Sequence, residues 1–226
     1  MSLQAQSRDL LKTDRVYLIL RQRIRDLELP PGAPLRKEEI AAEFAVSRAP
    51  VSEAIARLAE EGLVDVFPQH GSFVAEIRSA DVREGLFIRT GLEVEACRRA
   101  AALRSPELCH ALTANLEAQE AALAAGDLHR FYELDEALHE LIFGAIGHTR
   151  AMRFLDSARA PLDRMRRLVL PQGERPQATL REHRWVVDAI LTGDPELAAA
   201  AMRAHLNTVS ETVEEQLRAA PAETIR

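Results

Sequence analysis

Apolar residues recur at Val16, Ile19, Leu20, Ile24 and Leu27, a spacing of three and four that gives a helix over 14–28 one greasy face. The run LPPGAPL (29–35) ends that helix, because prolines cannot continue the backbone hydrogen-bond ladder. A short helical segment over 36–44, a tight Ala45-Val46-Ser47 and a second helix over 48–60 follow, with Gly62 as the stop. LVDVF (63–67) and SFVAEI (72–77) have the β-branched and aromatic character of strands, and PQHG (68–71) joins them as a hairpin. From Ser79 onward the pattern is helical only. Six segments are expected, at 80–104, 106–125, 127–146, 149–170, 176–192 and 194–218. Gly126-Asp127, Gly147 and Gly193-Asp194-Pro195 punctuate three of the joins. The predicted fold is mainly α, with a boundary near Arg78.

One helix breaks its own pattern. In YELDEALHELIFG (132–144), with Phe131 set at zero and about 100° per residue, Asp135 falls near 40° and His139 near 80°. Both sit at the edge of the apolar face, while Glu133, Glu136 and Glu140 gather at roughly 140° to 200°. His183 lies among Leu180, Val186, Val187 and Ile190 on its helix, and His205 among Ala198, Met202 and Val209 on another. His129, by contrast, falls on the glutamate side. A single inward histidine is usually a hydrogen-bonded neutral imidazole, and an Asp–His pair one turn apart is often a surface contact. Three inward histidines and one aspartate on three helices instead suit a first-row divalent metal, bound through neutral imidazoles and one carboxylate.

Composition changes the picture in a few places. The chain has 226 residues, 47% of them hydrophobic, enough for one or two domains with real cores. No stretch approaches the ~18 uninterrupted apolar residues of a membrane span, and no apolar signal-peptide core is present, so a cytoplasmic protein without membrane contact is expected. Cys97 and Cys109 are too few for a disulfide framework, and Cys97 reads as a small buried thiol. The run RMRR (164–167) reads as a solvated face. The net charge of −6 offers nucleic acid no general attraction, and residues 1–77 carry a slight acidic excess.

Residues 1–77 nevertheless have the order of a winged helix-turn-helix: helix, proline turn, short helix, three-residue turn, second helix, hairpin. In such a module the helix after the tight turn enters the major groove and the hairpin tip reaches the neighbouring backbone. Ser47 is placed to cap that helix and to meet a phosphate. Arg48, which opens it, can reach a guanine edge or a phosphate. Arg36, Lys37 and His70 complete a local positive rim, and Gly71 lets the hairpin approach DNA closely. VSRAPVSEAIARLAEEGLV (46–64) followed by PQHGSFV (68–74) resembles the GntR family of bacterial transcription regulators, whose signature runs V-S-R-T-P-V-R-E-A-L and ends E-G-L-V before P-x-x-G-x-x-V. Ala49 replaces the usual threonine and Ser52 the usual arginine, so the likeness implies the module and not the operator sequence.

Residues 80–218 are similar to the helical ligand-binding domain of the FadR-type members, the FCD domain. Its metal-binding representatives carry D-x-x-x-H on one helix and a histidine on each of two later helices; here these are Asp135, His139, His183 and His205. The resemblance implies one divalent ion per chain, zinc first, with nickel, iron or manganese as alternatives. It also implies a small carboxylic acid effector. Arg89, followed by Glu93 in an R-x-x-x-E context, matches the arginine that contacts the acid in related domains; an internal ion pair that only orders the helix is the other reading. The expectation is a winged helix-turn-helix domain over 1–77 and an antiparallel all-helical effector bundle over 78–226. Together they make a ligand-responsive repressor, a homodimer on double-stranded DNA with an inverted repeat. A metal-dependent enzyme with an accessory DNA-binding module is the alternative, and it lacks an identifiable general base.

Overall fold

A computed structural model describes residues 3–169 and 175–219. Among them the chain divides into two compact units, one running to Val82 with Ala160–Leu168, the other holding Arg83–Arg159 and the described residues from Val169 onward. No helix among the described residues is long and apolar enough to cross a membrane.

The first unit opens with α1 (Leu3–Arg25), whose stripe of Val16, Leu20 and Ile24 is fully buried. This helix begins well before residue 14. Its leading residues, LQAQSRDLLKT, lack a clear apolar stripe but are mostly good helix formers, and Thr13 is buried and donates to Glu53 (3.2 Å). After the proline turn come α2 (Lys37–Glu43) and α3 (Arg48–Glu60). Between them Ala45 takes a left-handed conformation, φ 52°, which makes the turn tight. α3 buries Val51, Ala54, Ile55 and Leu58 against the α1 stripe, and Gly62 at φ 71° lets the chain leave the helix.

Strands β1 (Val64–Phe67) and β2 (Gly71–Val74) pair antiparallel, with Val64 opposite Val74 and Phe67 opposite Gly71. The proline turn lies along β2, where Leu35 N donates to Ser72 O (2.8 Å). The second strand stops short of the expected residue 77, although Ala75 N still donates to Leu63 O (2.9 Å) and Ile77 is buried.

The second unit is helical: α4 (Ser79–Leu103, from Arg83), α5 (Pro106–Ala124), α6 (Leu128–Ala145), α7 (Thr149–Val169, to Arg159), α8 (Arg175–Thr192) and α9 (Pro195–Ala219). Ser105, Asp127 and Asp194 cap α5, α6 and α9 with side-chain oxygens, as helix starts require. Residue 170, the expected end of α7, lies outside the described residues.

The run RMRR is not a solvated face. Arg164 and Arg166 are buried in the first unit, Arg164 donates to Ala75 O (2.6 Å), and the preceding Asp163 pairs with buried Arg25 at 2.6 Å. The acceptor of Arg164 and the cation paired with Asp163 come from distant parts of the chain, which local charge density does not reveal.

Candidate metal centre and DNA-reading element

The three inward histidines converge. His139 on α6, His183 on α8 and His205 on α9 are each buried, and each offers a ligand atom within 4.8 Å of the others. Asp135, equally buried one turn before His139, brings Oδ1 to 3.2 Å from His183 Nε2. His129, on the far side of α6, is exposed and faces Glu133.

Each imidazole has its Nδ1 beside an acceptor oxygen. His183 Nδ1 is 2.8 Å from Gln119 Oε1, and His205 Nδ1 is 2.8 Å from Glu182 Oε2. His139 Nδ1 lies 2.7 Å from Glu93 Oε2, as close as an ion pair but out of line for a hydrogen bond. Arg89 Nη2, which can only donate, stands 3.4 Å from His139 Nε2 and marks that atom as the lone-pair side. With Nδ1 protonated on the outer side, a neutral ring keeps its Nε2 lone pair for a metal. At His183 that lone pair would face Asp135 Oδ1 at 3.2 Å, a nitrogen and an oxygen that a cation could bridge. The donor set, buried neutral nitrogens plus a carboxylate, fits a divalent ion.

The electrostatics of His205 favour a neutral ring. Burial lowers the His205 imidazole to about 3, and His183, His139 and Arg89 push the same way against its Glu182 hydrogen bond. Burial acts to raise Glu182, yet His205 and Arg175 outweigh it and hold the carboxyl below its ordinary range. Glu93 is also held well below that range: burial opposes ionisation, but Arg89 and His139 prevail. Arg89 is buried, pairs with Glu93 at 2.6 Å and touches His139, so it borders the cluster while making the internal ion pair. Burial and then Glu93 raise the Cys97 thiol to about 12, which keeps it an inert core group.

Gln119, Asn115 and Glu182 were not anticipated. The signal was present for two of them: Leu108, Leu112, Asn115, Gln119 and Ala122 form the buried stripe of α5, and two amides interrupt it as Asp135 and His139 interrupt α6. Glu182 carried no comparable mark, because its role depends on Arg175 and His205, which it bridges across α8 and α9.

In the first unit, Ser47 occupies the N-cap position of α3 but makes no side-chain capping bond. Arg48 is exposed and lies 3.2 Å from Glu38 Oε1, and exposed Arg36 bonds Glu39 at 2.9 Å. His70 and Gly71 are exposed at the hairpin, where Gly71 takes φ 110° and the His70 ring lies 3.0 Å from Pro68 O.

A family model described as "Bacterial regulatory proteins, gntR family" matches residues 12–74, and one for the FCD domain matches residues 84–208. An uncharacterized HTH-type transcriptional regulator in an unstable DNA locus of Streptomyces ambofaciens is 40% identical over 199 residues, 88% of this chain and 84% of that one. The HTH-type transcriptional repressor RspR of Escherichia coli (strain K12) is 36% identical over 199 residues, 88% of this chain and 87% of its own. Among solved structures, E. coli McbR/YncC shares the fold with a TM-score of 0.80 over 91% of this chain and 98% of that one, at 20% identity. The chain belongs to the GntR family of bacterial transcription regulators, with a helix-turn-helix DNA-binding domain and an FCD domain, and is not an enzyme.

Proposed function

We propose that this regulator is a cytoplasmic homodimeric repressor that binds an inverted-repeat operator and senses a small carboxylic acid through a divalent metal ion. The single observation that carries the sensing half is the convergence of three buried histidines whose Nδ1 atoms all lie against acceptor oxygens. His139, His183 and His205 would hold the ion through Nε2, with Asp135 as the carboxylate ligand. Bound there, zinc, or nickel, iron or manganese, supplies a buried positive charge with open coordination positions for a carboxylate oxygen. Arg89 supplies a second cation at the same site and is the proposed anchor for the acid. The reading surface is assigned to Arg36, Ser47, Arg48, His70 and Gly71. Repression is favoured by the likeness to RspR, a named repressor, and a homodimer by the short reach of a single recognition helix.

Metal analysis combined with thermal shift tests the reading. The purified protein should hold about one divalent ion per chain. His183→Ala and His205→Ala should lose most of it, while exposed His129→Ala keeps it. Small carboxylic acids should raise the melting temperature of the metal-loaded protein and fail to do so after chelation. Unchanged metal content in both buried-histidine variants would overturn the site. An acid that stabilises loaded and stripped protein equally would overturn recognition through the metal.

A further inference from the structure

The outer acceptors of the three histidines are not alike. His139 and His205 face carboxylates, whereas His183 faces the side-chain amide of Gln119. A carboxylate can only accept when ionised, so its orientation is immaterial. An amide can present either its oxygen or its NH2 group, so something must decide which end His183 meets.

The decision is made at the backbone of α6. Asn115 Nδ2 donates to Leu134 O (3.0 Å), which turns Asn115 Oδ1 toward Gln119. Gln119 Nε2 donates to that oxygen (2.6 Å), and Gln119 Oε1 is left for His183 Nδ1 (2.8 Å). Asn115, Gln119 and His183 are all buried, so no solvent competes for these bonds. Reversing Gln119 would set its oxygen against Asn115 Oδ1. Reversing Asn115 as well would set its oxygen against the Leu134 carbonyl. A carbonyl cannot donate, so the polarity of the whole chain is fixed from one end.

We infer that Asn115 and Gln119 are positioning residues: anchored on the Leu134 carbonyl, they hold His183 in the Nδ1–H form and aim its Nε2 lone pair at the metal centre. The inference rests on the metal reading above for its purpose, but the tautomer itself is a property of the metal-free chain. The relay also opposes Asp135, whose carboxylate 3.2 Å from His183 Nε2 would otherwise draw the proton to that nitrogen. Without the amide chain the ring would turn its N–H toward Asp135 and present no lone pair to an ion.

The test uses the full-length protein with 15N-labelled histidine. In metal-free protein, at a pH alkaline enough for a neutral ring, the nitrogen shifts of His183 should report Nδ1–H. In Gln119→Met, an apolar side chain of similar length, they should move to Nε2–H. Zinc affinity by chelator competition should fall about 10- to 100-fold in Gln119→Met. Gln119→Glu, which still offers an acceptor to Nδ1, should keep both the tautomer and most of the affinity. An Nε2–H tautomer in the unaltered protein overturns the inference even if no variant folds, as does a Gln119→Met protein with unchanged tautomer and unchanged zinc affinity. If the unaltered protein shows Nδ1–H and Gln119→Met shifts it, but neither binds zinc or another divalent ion, the metal reading fails and the positioning role stands.

Discussion

His205 is held neutral in the fold, its imidazole lowered from 6.5 to about 3 chiefly by burial. Between those two values the unfolded chain binds a proton that the folded chain does not. Stability of the metal-free protein therefore rises with pH across that window and is lost as pH falls through it. Glu182, also lowered in the fold, acts in the same sense at more acid pH. Melting temperatures of chelated protein should drop from about pH 7 to about pH 5, and the drop should shrink in His205→Gln. A flat profile in the unaltered protein would contradict the neutral ring. At the proposed reading surface, Arg48 is solvent-exposed and its Glu38 contact is weak, so DNA would displace that partner at little cost. Arg48→Ala should weaken operator binding by about 1–3 kcal/mol if the guanidinium reads a base edge, and should relax sequence preference at that position. A uniform loss on all DNA would reassign it to phosphate.

Element by element, helix periodicity was legible wherever a stripe packs on a core. The expected segments from 36 onward differ from α2 through α9 only by small shifts at their ends, because burial of one face sets both the period and the phase. What stayed hidden depends on partners far away in sequence. Asn115 and Gln119 lie on the buried stripe of α5, yet only the α6 carbonyl and His183 give them work. Arg164 and Arg166 are buried where Ala75 O and the Arg25–Asp163 pair receive that part of α7. Close approach of helices is equally invisible to periodicity. A Cβ on Gly85 of α4 would collide with the carbonyl oxygen of Ala158 on α7, a backbone atom that cannot swing aside. Gly85→Ala should therefore destabilise the helical unit by about 1–3 kcal/mol, although alanine favours helices, as measured by denaturant midpoint. Gly91→Ala on the same helix meets nothing within 4 Å and should be neutral or slightly stabilising.

For the molecule as a whole, the net charge of −6 sets how DNA can be held. Overall attraction is absent, so affinity would have to come from the few cations at the proposed reading surface. Two of these, Arg36 and Arg48, already lie beside Glu39 and Glu38, which discourages loose binding to arbitrary sequence. With Arg48 on a base edge, Arg36 and Lys37 would give each protomer about two phosphate-neutralising groups, so a dimer on an inverted repeat should show a slope of about −4 in log affinity against log salt, and a monomer about half that. Glu38→Gln frees Arg48 from its carboxylate. It should tighten binding to unrelated DNA more than to the operator and so reduce the specificity ratio. The measurement is a salt titration of a full inverted repeat, a half-site and an unrelated duplex, for the unaltered protein and the variant. Equal affinity for half and full sites, with the shallower slope on both, would refute the two-fold mode. A specificity ratio unmoved by Glu38→Gln would show that the acidic neighbours of Arg48 play no part in discrimination.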